Sequence, residues 1–261
     1  MKRKTPGPLQ SDRKHGLCGV NPVMEALGAG RRKIEEIIIA EGASQKRLRE
    51  LVELARAQNI PVRRVPRAAI DREVGATNHQ GVLARVAAAR YADADDLLDS
   101  IGARVGSDVP PLVVALDGVE DPRNLGAILR TAECAGVHGV FVPERRAVGL
   151  TDTVAKAAAG ALEHVPVARA GNLVRLIEQL KERNVWCVGA TADAANVYTG
   201  WDWKQPTAIV LGGEGAGLHR LVRERCDALV RIPLSGHVGS LNVSVAAGII
   251  LFEALRQRTA S

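Results

Sequence analysis

Hydrophobic positions in the second half of the chain alternate between short continuous runs and stripes with helical spacing. Each apolar run after residue 111 gives way to a segment with helical periodicity. Continuous apolar strands bracketed by helices are typical of a parallel sheet covered on both faces. The pattern therefore predicts an α/β domain over residues 111–261, with strands at LVVALD, GVFVP, VPVA, VWCVGAT, TAIVLG and ALVRIPL.

The first third of the chain carries a smaller version of the same pattern. Its predicted elements are strands at 34–39, 61–65 and 81–87, and helices after Pro22, at 44–58 and near 68–74. Residues 15–90 are therefore expected to form a compact α/β module. Residues 1–14 are polar and basic, which is typical of a flexible tail. Residues 91–110, rich in Asp and ending in Pro, are interpreted as a linker with at most one helical turn.

The basic charge is concentrated at the N-terminal end. The chain has a net charge of +6, but residues 1–90 hold 18 Lys and Arg against 9 Asp and Glu, whereas residues 91–261 hold 17 against 20. Basic side chains that neutralise phosphates would explain this excess through nucleic-acid binding. A solvated helix face, as in SQKRLRELVELARAQN, explains the same charges. Charge alone leaves both interpretations open.

Composition argues against membrane, metal and disulfide chemistry. No apolar run approaches the ~20 residues of a membrane span, and MKRKTPGPLQ is not followed by the apolar stretch of a signal peptide. The four cysteines are far apart, and the histidines show no metal-ligand spacing. We therefore expect a cytoplasmic protein with reduced cysteines, no metal and no membrane partner.

Three polar segments mark the places where predicted strands give way to helices. They are DGVEDPRNLGAILR (117–130), IVLGGEGAGL (209–218) and IPLSGHVGSLNVSVAAGI (232–249). Such junctions are where α/β proteins commonly place their sites. The glycines of the second segment allow backbone to approach a ligand closely, but their G-x-G-x-G spacing, late in the chain, argues against a dinucleotide site. Free N–H groups at the start of the last helix favour a polar ligand.

Plain structural interpretations of the same residues remain open at this point. Asn124 or Ser240 would serve simply as a helix N-cap, and Arg130 or Glu214 as a solvated surface charge. Asn124 and Arg130 are six positions apart, so on one regular helix they would lie on different faces. Both reach one site only if Asn124 lies at the cap or in the loop.

The three segments and their order resemble the SpoU (TrmH-like) family of RNA ribose 2′-O-methyltransferases. HGLCGVNPVMEAL (15–27) and NHQGVLARV (78–86) resemble the small RNA-binding domain of that family, so the resemblance covers nearly the whole chain. It implies a C-terminal parallel-sheet methyltransferase domain threaded as a trefoil knot, and an N-terminal L30e-like α/β domain. It also implies S-adenosyl-L-methionine as cofactor, RNA as substrate and a homodimer.

The resemblance assigns roles to particular positions of this sequence. Its catalytic positions are Asn124, Arg130, Glu214, Ser240 and Asn242. Its positions for binding the methyl donor are Gly189, Thr191, Gly212, Ile232 and Leu241. Because an Arg pKa lies above ~12, two roles stay open for Arg130. It takes the 2′-hydroxyl proton with help from the substrate phosphate, or it stays cationic and stabilises the developing alkoxide.

The two-domain layout is similar to the members of the family that methylate a guanosine of 23S rRNA. The expected activity is therefore that of an RNA (guanosine-2′-O-)-methyltransferase, and a 2′-hydroxyl target restricts the substrate to RNA. A tRNA ribose methyltransferase and an rRNA resistance methylase of the same family are alternatives. A non-catalytic ribosome-assembly factor on a decayed methylase fold is another, which the intact motifs disfavour.

Overall fold

The computed structural model describes residues 15–30, 33–43, 45–74, 79–87, 89–145, 147–215 and 217–260. Contacts between Cα atoms divide these residues into two compact units. The smaller unit takes the described residues of 1–23 and 32–88, and the larger takes those of 24–31 and 89–261. No helix in the described part of the chain is long and apolar enough to cross a membrane.

The smaller unit is built on a mixed four-stranded sheet. In chain order its elements are β1 His15–Cys18, the start of α1 Val20–Ala29, β2 Ile34–Ala40, α2 Gln45–Ala57, β3 Val62–Val65, α3 Arg67–Val74 and β4 Val82–Val86. The residues of α1 from Met24 onward count with the larger unit. The strand order is β1-β4-β2-β3, with only β2 and β3 parallel. The predicted helices and the three predicted strands are present. Strand β1 was not predicted, because a strand of four residues gives little periodicity to read and depends on its pairing with β4.

The larger unit is a parallel sheet with helices on both faces, as the apolar strands predicted. Its elements are α4 Ala94–Gly102, β5 Leu112–Asp117, α5 Pro122–Cys134, β6 Gly139–Pro143, α6 Asp152–Ala158, β7 Val167–Ala170, α7 Leu173–Glu182, β8 Trp186–Ala190, β9 Asn196–Val197, β10 Thr207–Gly212, α8 Arg220–Arg225, β11 Ala228–Arg231 and α9 Val243–Thr259. The strand order is β7-β6-β5-β10-β8-β11-β9. Helices α5, α6 and α9 cover one face of the sheet, and α4, α7 and α8 cover the other.

Residues 91–110 differ from the predicted linker. They contain α4, whose N-cap Asp93 accepts hydrogen bonds from the backbone N–H groups of Asp95 and Asp96. Its apolar side chains Leu97, Leu98 and Ile101 are buried against the sheet. The Asp-rich composition favoured a polar connection, but the acidic residues cap the helix and the few apolar ones form its packed stripe.

Candidate active site

The three polar segments of the sequence meet at one edge of the larger sheet. Strands β5 and β10 are parallel neighbours, and Asp117 at the end of β5 pairs in register with Gly212 at the end of β10. The loops that follow them therefore leave the sheet side by side. Helix α9 packs against α5, and Asn242 is the N-cap of α9.

Asn124, Glu214 and Asn242 form a hydrogen-bonded group that we call the amide–carboxylate cluster. The Nδ2 of Asn124 donates to Glu214 Oε1 at 2.7 Å. The Nδ2 of Asn242 lies 2.9 Å from the same oxygen and 3.0 Å from Asn124 Oδ1. A carboxylate oxygen that accepts two amide N–H groups makes charge-assisted bonds, which are stronger than neutral ones. One residue from each polar segment is thus fixed in a single group.

The helix caps explain why Asn124 and Asn242 reach the cluster. Asp121 is the N-cap of α5, with its Oδ1 accepting from Arg123 N at 2.6 Å, and Pro122 opens the helix. Asn124 is therefore a buried residue inside the first turn, and its interpretation as the N-cap is wrong. At α9 the cap is Asn242, whose Oδ1 accepts from Ser244 N at 2.9 Å.

A cavity of about 560 Å³, which we call the large cavity, lies beside the cluster. Five of the predicted site residues other than the cluster line it: Thr191, Gly212, Ile232, Ser240 and Leu241. Ser240 lies in its wall rather than at the helix cap. The sequence interpretation missed several further wall residues, namely Ala190, Ala192, Leu211, Val230, Leu234, Val243 and Ala246. They are plain apolar positions near strand ends, in the loops that follow and on α9, so no local signal distinguished them from core.

The glycines of the second segment are required by close backbone contacts. A Cβ on Gly212 would overlap the backbone of Gly217, and one on Gly213 would overlap the carbonyl oxygen of Gly118. The N–H of Gly213 donates to the carbonyl oxygen of Asp117 at 2.7 Å, which fixes the loop against the end of β5. Gly residues thus let this loop fold back over the sheet edge.

Gly189 does not line the large cavity. It lies in β8, where a Cβ would come within 2.8 Å of side-chain carbons of both Leu218 and Leu229. Packing inside the domain therefore accounts for this glycine, and the structure does not place it among the residues that could touch a cofactor.

The loop after β8 is tied to α8 through Asp193. Thr191 Oγ1 lies 2.5 Å from Asp193 Oδ1, and Arg223 Nη1 lies 2.8 Å from Asp193 Oδ2. Hydrogen bonds hold the pKa of the Asp193 carboxyl below its ordinary value, with the bond from Thr191 as the main cause and the bond from Arg223 as the next. The Thr191 wall of the large cavity is therefore fixed by a polar network at its outer side.

Arg130 stands apart from the cluster. It is an exposed residue of α5, lies about 120° around the helix axis from Asn124, and lines neither of the cavities described here. We expected Asn124 and Arg130 to reach one site if Asn124 capped the helix. Asn124 is not the cap, and within one chain Arg130 does not join the cluster.

A second cavity of about 380 Å³, the small cavity, adjoins the large one. Asp117 and His219 line it, and neither was assigned a role from sequence. Asp117 is buried; its Oδ2 accepts the backbone N–H of His219 at 2.7 Å, and its Oδ1 lies 2.8 Å from His219 Nδ1. A polar residue at the end of a buried strand was a usable signal for Asp117, whereas nothing local marked His219.

The larger unit is thus an α/β domain whose sheet edge carries a cavity of the size typical for small-molecule ligands, about 300–1,000 Å³. Residues 111–252 match the SpoU rRNA methylase family, and residues 17–92 match an RNA 2′-O ribose methyltransferase substrate-binding domain. The chain belongs to the SpoU rRNA methylase family. The family predicted from the three segments is confirmed.

Relatives and solved structures of this family cover almost the whole chain. YacO of Bacillus subtilis, named as a TrmH family protein, is 46% identical over 93% of this chain and 95% of its own. The 23S rRNA (guanosine-2′-O-)-methyltransferase RlmB of Xylella fastidiosa is 44% identical over 93% and 96%. The AdoMet-bound rRNA methyltransferase from Sinorhizobium meliloti has a TM-score of 0.76 and 29% identity over 95% of this chain and 88% of that chain.

Proposed function

We propose that this protein is an S-adenosyl-L-methionine-dependent RNA 2′-O-ribose methyltransferase that acts on a guanosine of 23S rRNA. The observation that carries the proposal is the amide–carboxylate cluster, built from one residue of each polar segment, whose Glu214 and Asn242 lie in the wall of the large cavity. Support for rRNA and guanosine comes from the relative named RlmB, at 44% identity.

The large cavity fits the methyl donor in size and in chemistry. Glycine backbone and the residues around Ile232 and Leu241 offer main-chain groups to the edges of a heterocycle, while Leu211 and Val230 offer apolar contact to its faces. Glu214 is the one charged side chain among the described residues of this wall, and its sign suits a cationic ligand. When bound, the donor supplies an electrophilic methyl group on a positively charged sulfur.

The residues of the cluster would position the acceptor. Asn124, Glu214 and Asn242 restrain one another by hydrogen bonds, so little ordering remains to be done when RNA binds. Ser240, exposed in the same wall, presents a hydroxyl that can donate to or accept from a ribose oxygen.

Arg130 reaches this site in our proposal from a second copy of the chain. Arg130 is an exposed residue of α5, and α9 packs beside α5 with Val245 and Phe252 each about half exposed. Exposed apolar residues on one helix suit an interface. A homodimer through this surface would place Arg130 of one copy near the cluster of the other, where it holds the substrate phosphate and stabilises the 2′-oxyanion.

Other expectations from the family resemblance stay predictions. They are the trefoil knot, the L30e-like character of the N-terminal domain, the cytoplasmic location and the domain bounds 15–90 and 111–261. The basic N-terminal third would bind RNA phosphates, which predicts an affinity that falls as salt rises.

A methyl-transfer assay tests the proposed activity directly. Labelled donor is offered to rRNA and tRNA that lack modifications, and the products are mapped by mass spectrometry. We expect 2′-O-methylguanosine at one position of 23S rRNA. Label in tRNA alone would contradict the proposed substrate. Donor binding without any methyl transfer, even to assembling ribosomal particles, would contradict the proposed activity.

A mixing experiment tests the origin of Arg130. Arg130→Ala and Glu214→Gln should each abolish methyl transfer, while Arg175→Ala, an exposed control on the opposite face of the sheet, should keep it. Refolding the two inactive variants together gives mixed dimers with one intact composite site, so about a quarter of wild-type activity should return. If no activity returns, Arg130 does not act across a dimer.

A further inference from the structure

The small cavity lies directly against the large one. The two cavities share the wall residues Gly213, Glu214, Gly217 and Val243. Asn124 of the cluster lines the small cavity but not the large one. A molecule in the small cavity would therefore be next to a molecule in the large cavity, with Glu214 between them. The reaction proposed above requires two such neighbouring sites, one for the methyl donor and one for the nucleotide that receives the methyl group.

His219 is held in the wall of the small cavity in one orientation. Asp117 accepts both its backbone N–H and its ring Nδ1–H, so the ring cannot turn freely. This pairing leaves Nε2 available, because no group in the described part of the chain is bonded to it. His219 is also the N-cap residue of α8, yet its side chain makes no capping bond. The ring is about half exposed, and helix capping does not account for its position.

The charges of the small cavity indicate what it can accept. Four carboxylates line it, from Asp117, Glu120, Asp121 and Glu214, and His219 is the one side chain among its described residues that can carry positive charge. Such a wall repels phosphate. It suits hydroxyl and N–H groups, which ribose and the bases supply, and the Nε2 of His219 is able to hydrogen-bond to either.

We propose that the small cavity binds the nucleoside part of the acceptor nucleotide and that His219, oriented by Asp117, is a direct contact to it. This inference rests on the proposed methyltransferase function. It separates the two ends of the acceptor: the nucleoside meets the acidic wall of the small cavity, while the phosphate lies outside it, where cationic side chains can reach it.

Kinetics of His219 variants test the proposal on the full-length protein with its RNA substrate. Loss of one hydrogen bond to the nucleoside should lower kcat/KM for RNA about tenfold in His219→Ala. His219→Gln, whose amide can still hydrogen-bond, should recover part of this. Arg220→Ala is the matched control: Arg220 is the next residue, pairs with Glu224 on the surface and should leave kcat/KM unchanged. Affinity for S-adenosylhomocysteine should be the same in all of these variants.

The salt dependence of RNA binding separates a nucleoside contact from a phosphate contact. If His219 contacts the nucleoside, log Kd against log salt keeps its slope in His219→Ala; a phosphate contact would reduce the slope by about 0.7 to 0.9. A reduced slope, or an unchanged kcat/KM in His219→Ala, overturns the inference. The proposed function still stands in that case, provided that the wild type transfers the methyl group. Absence of methyl transfer by the wild type overturns both.

Discussion

Replacing Asn124 by Asp tests the amide–carboxylate cluster with almost no change in shape. In the wild type, Asn124 Nδ2 donates to Glu214 Oε1 at 2.7 Å. In the variant two carboxylates would meet at that distance. Loss of the charge-assisted bond costs about 1.5–3 kcal/mol. Repulsion of two unit charges at this separation is about 6 kcal/mol at an effective dielectric constant of ~20 and about 1.5 kcal/mol in bulk water.

Protonation limits this penalty and makes it dependent on pH. The introduced carboxyl has an ordinary pKa of about 3.9. Keeping it protonated costs about 1.4 kcal/mol for each pH unit above that pKa, or about 4 kcal/mol at pH 7, and this is the upper limit of the penalty. We therefore expect Asn124→Asp to lose about 3–4 kcal/mol of unfolding free energy at pH 7. Like charge raises the pKa of the new group in the folded state, so the loss grows as pH rises and shrinks as pH falls towards 4.

Urea unfolding of wild type and variant at pH values from 5 to 8 measures this effect. Asn172→Asp is the matched control, because Asn172 caps α7 by accepting a bond from Arg175 N, and Asp accepts equally well there. The control should differ from wild type by less than about 0.5 kcal/mol. A variant Asn124→Asp that is as stable as wild type at pH 8 would refute the geometry of the cluster.

Three further predictions concern the cavity wall and the end of α9. Gly212→Ala should weaken S-adenosylhomocysteine binding at least tenfold in calorimetry, because its Cβ overlaps Gly217, whereas Gly200→Ala, with open space around it, should not. Arg258→Lys should cost about 2 kcal/mol or more in urea unfolding, because Arg258 donates to four backbone carbonyls that one ammonium cannot all reach. The hydrogen bond from Arg256 holds the pKa of Glu253 at about 2, below the ordinary value of 4.5. The stability that ionised Glu253 contributes is therefore fully present above pH 4.5 and is lost as pH falls towards 2. The urea midpoint of Glu253→Gln should lie below that of the wild type at pH 5, and the difference between the two should be smaller at pH 3.

The strand pattern was sufficient to predict the parallel sheet. The meeting of the three polar segments in one active site was implied by the family resemblance, which assigned catalytic positions to all three. The sequence was not sufficient to place Asn124, since Asp121 and Asn124 are both good caps and the helix start alone decides between them. The pairing of Asp117 with His219 joins residues 102 positions apart, and no local pattern encodes such a contact.

Glu214 separates the two cavities, and this position determines how variants should behave. Its Oε1 is bonded to Asn124 and Asn242, and its side chain lines both cavities. A change in the cluster should therefore alter the Kd for S-adenosylhomocysteine and the Kd for RNA together. Thr191 lines only the large cavity and His219 only the small one, so their variants should each change one Kd alone. Independent effects at Thr191 and His219 combined with a joint effect at Glu214 would support the two-site arrangement, because a single shared cavity would couple all three.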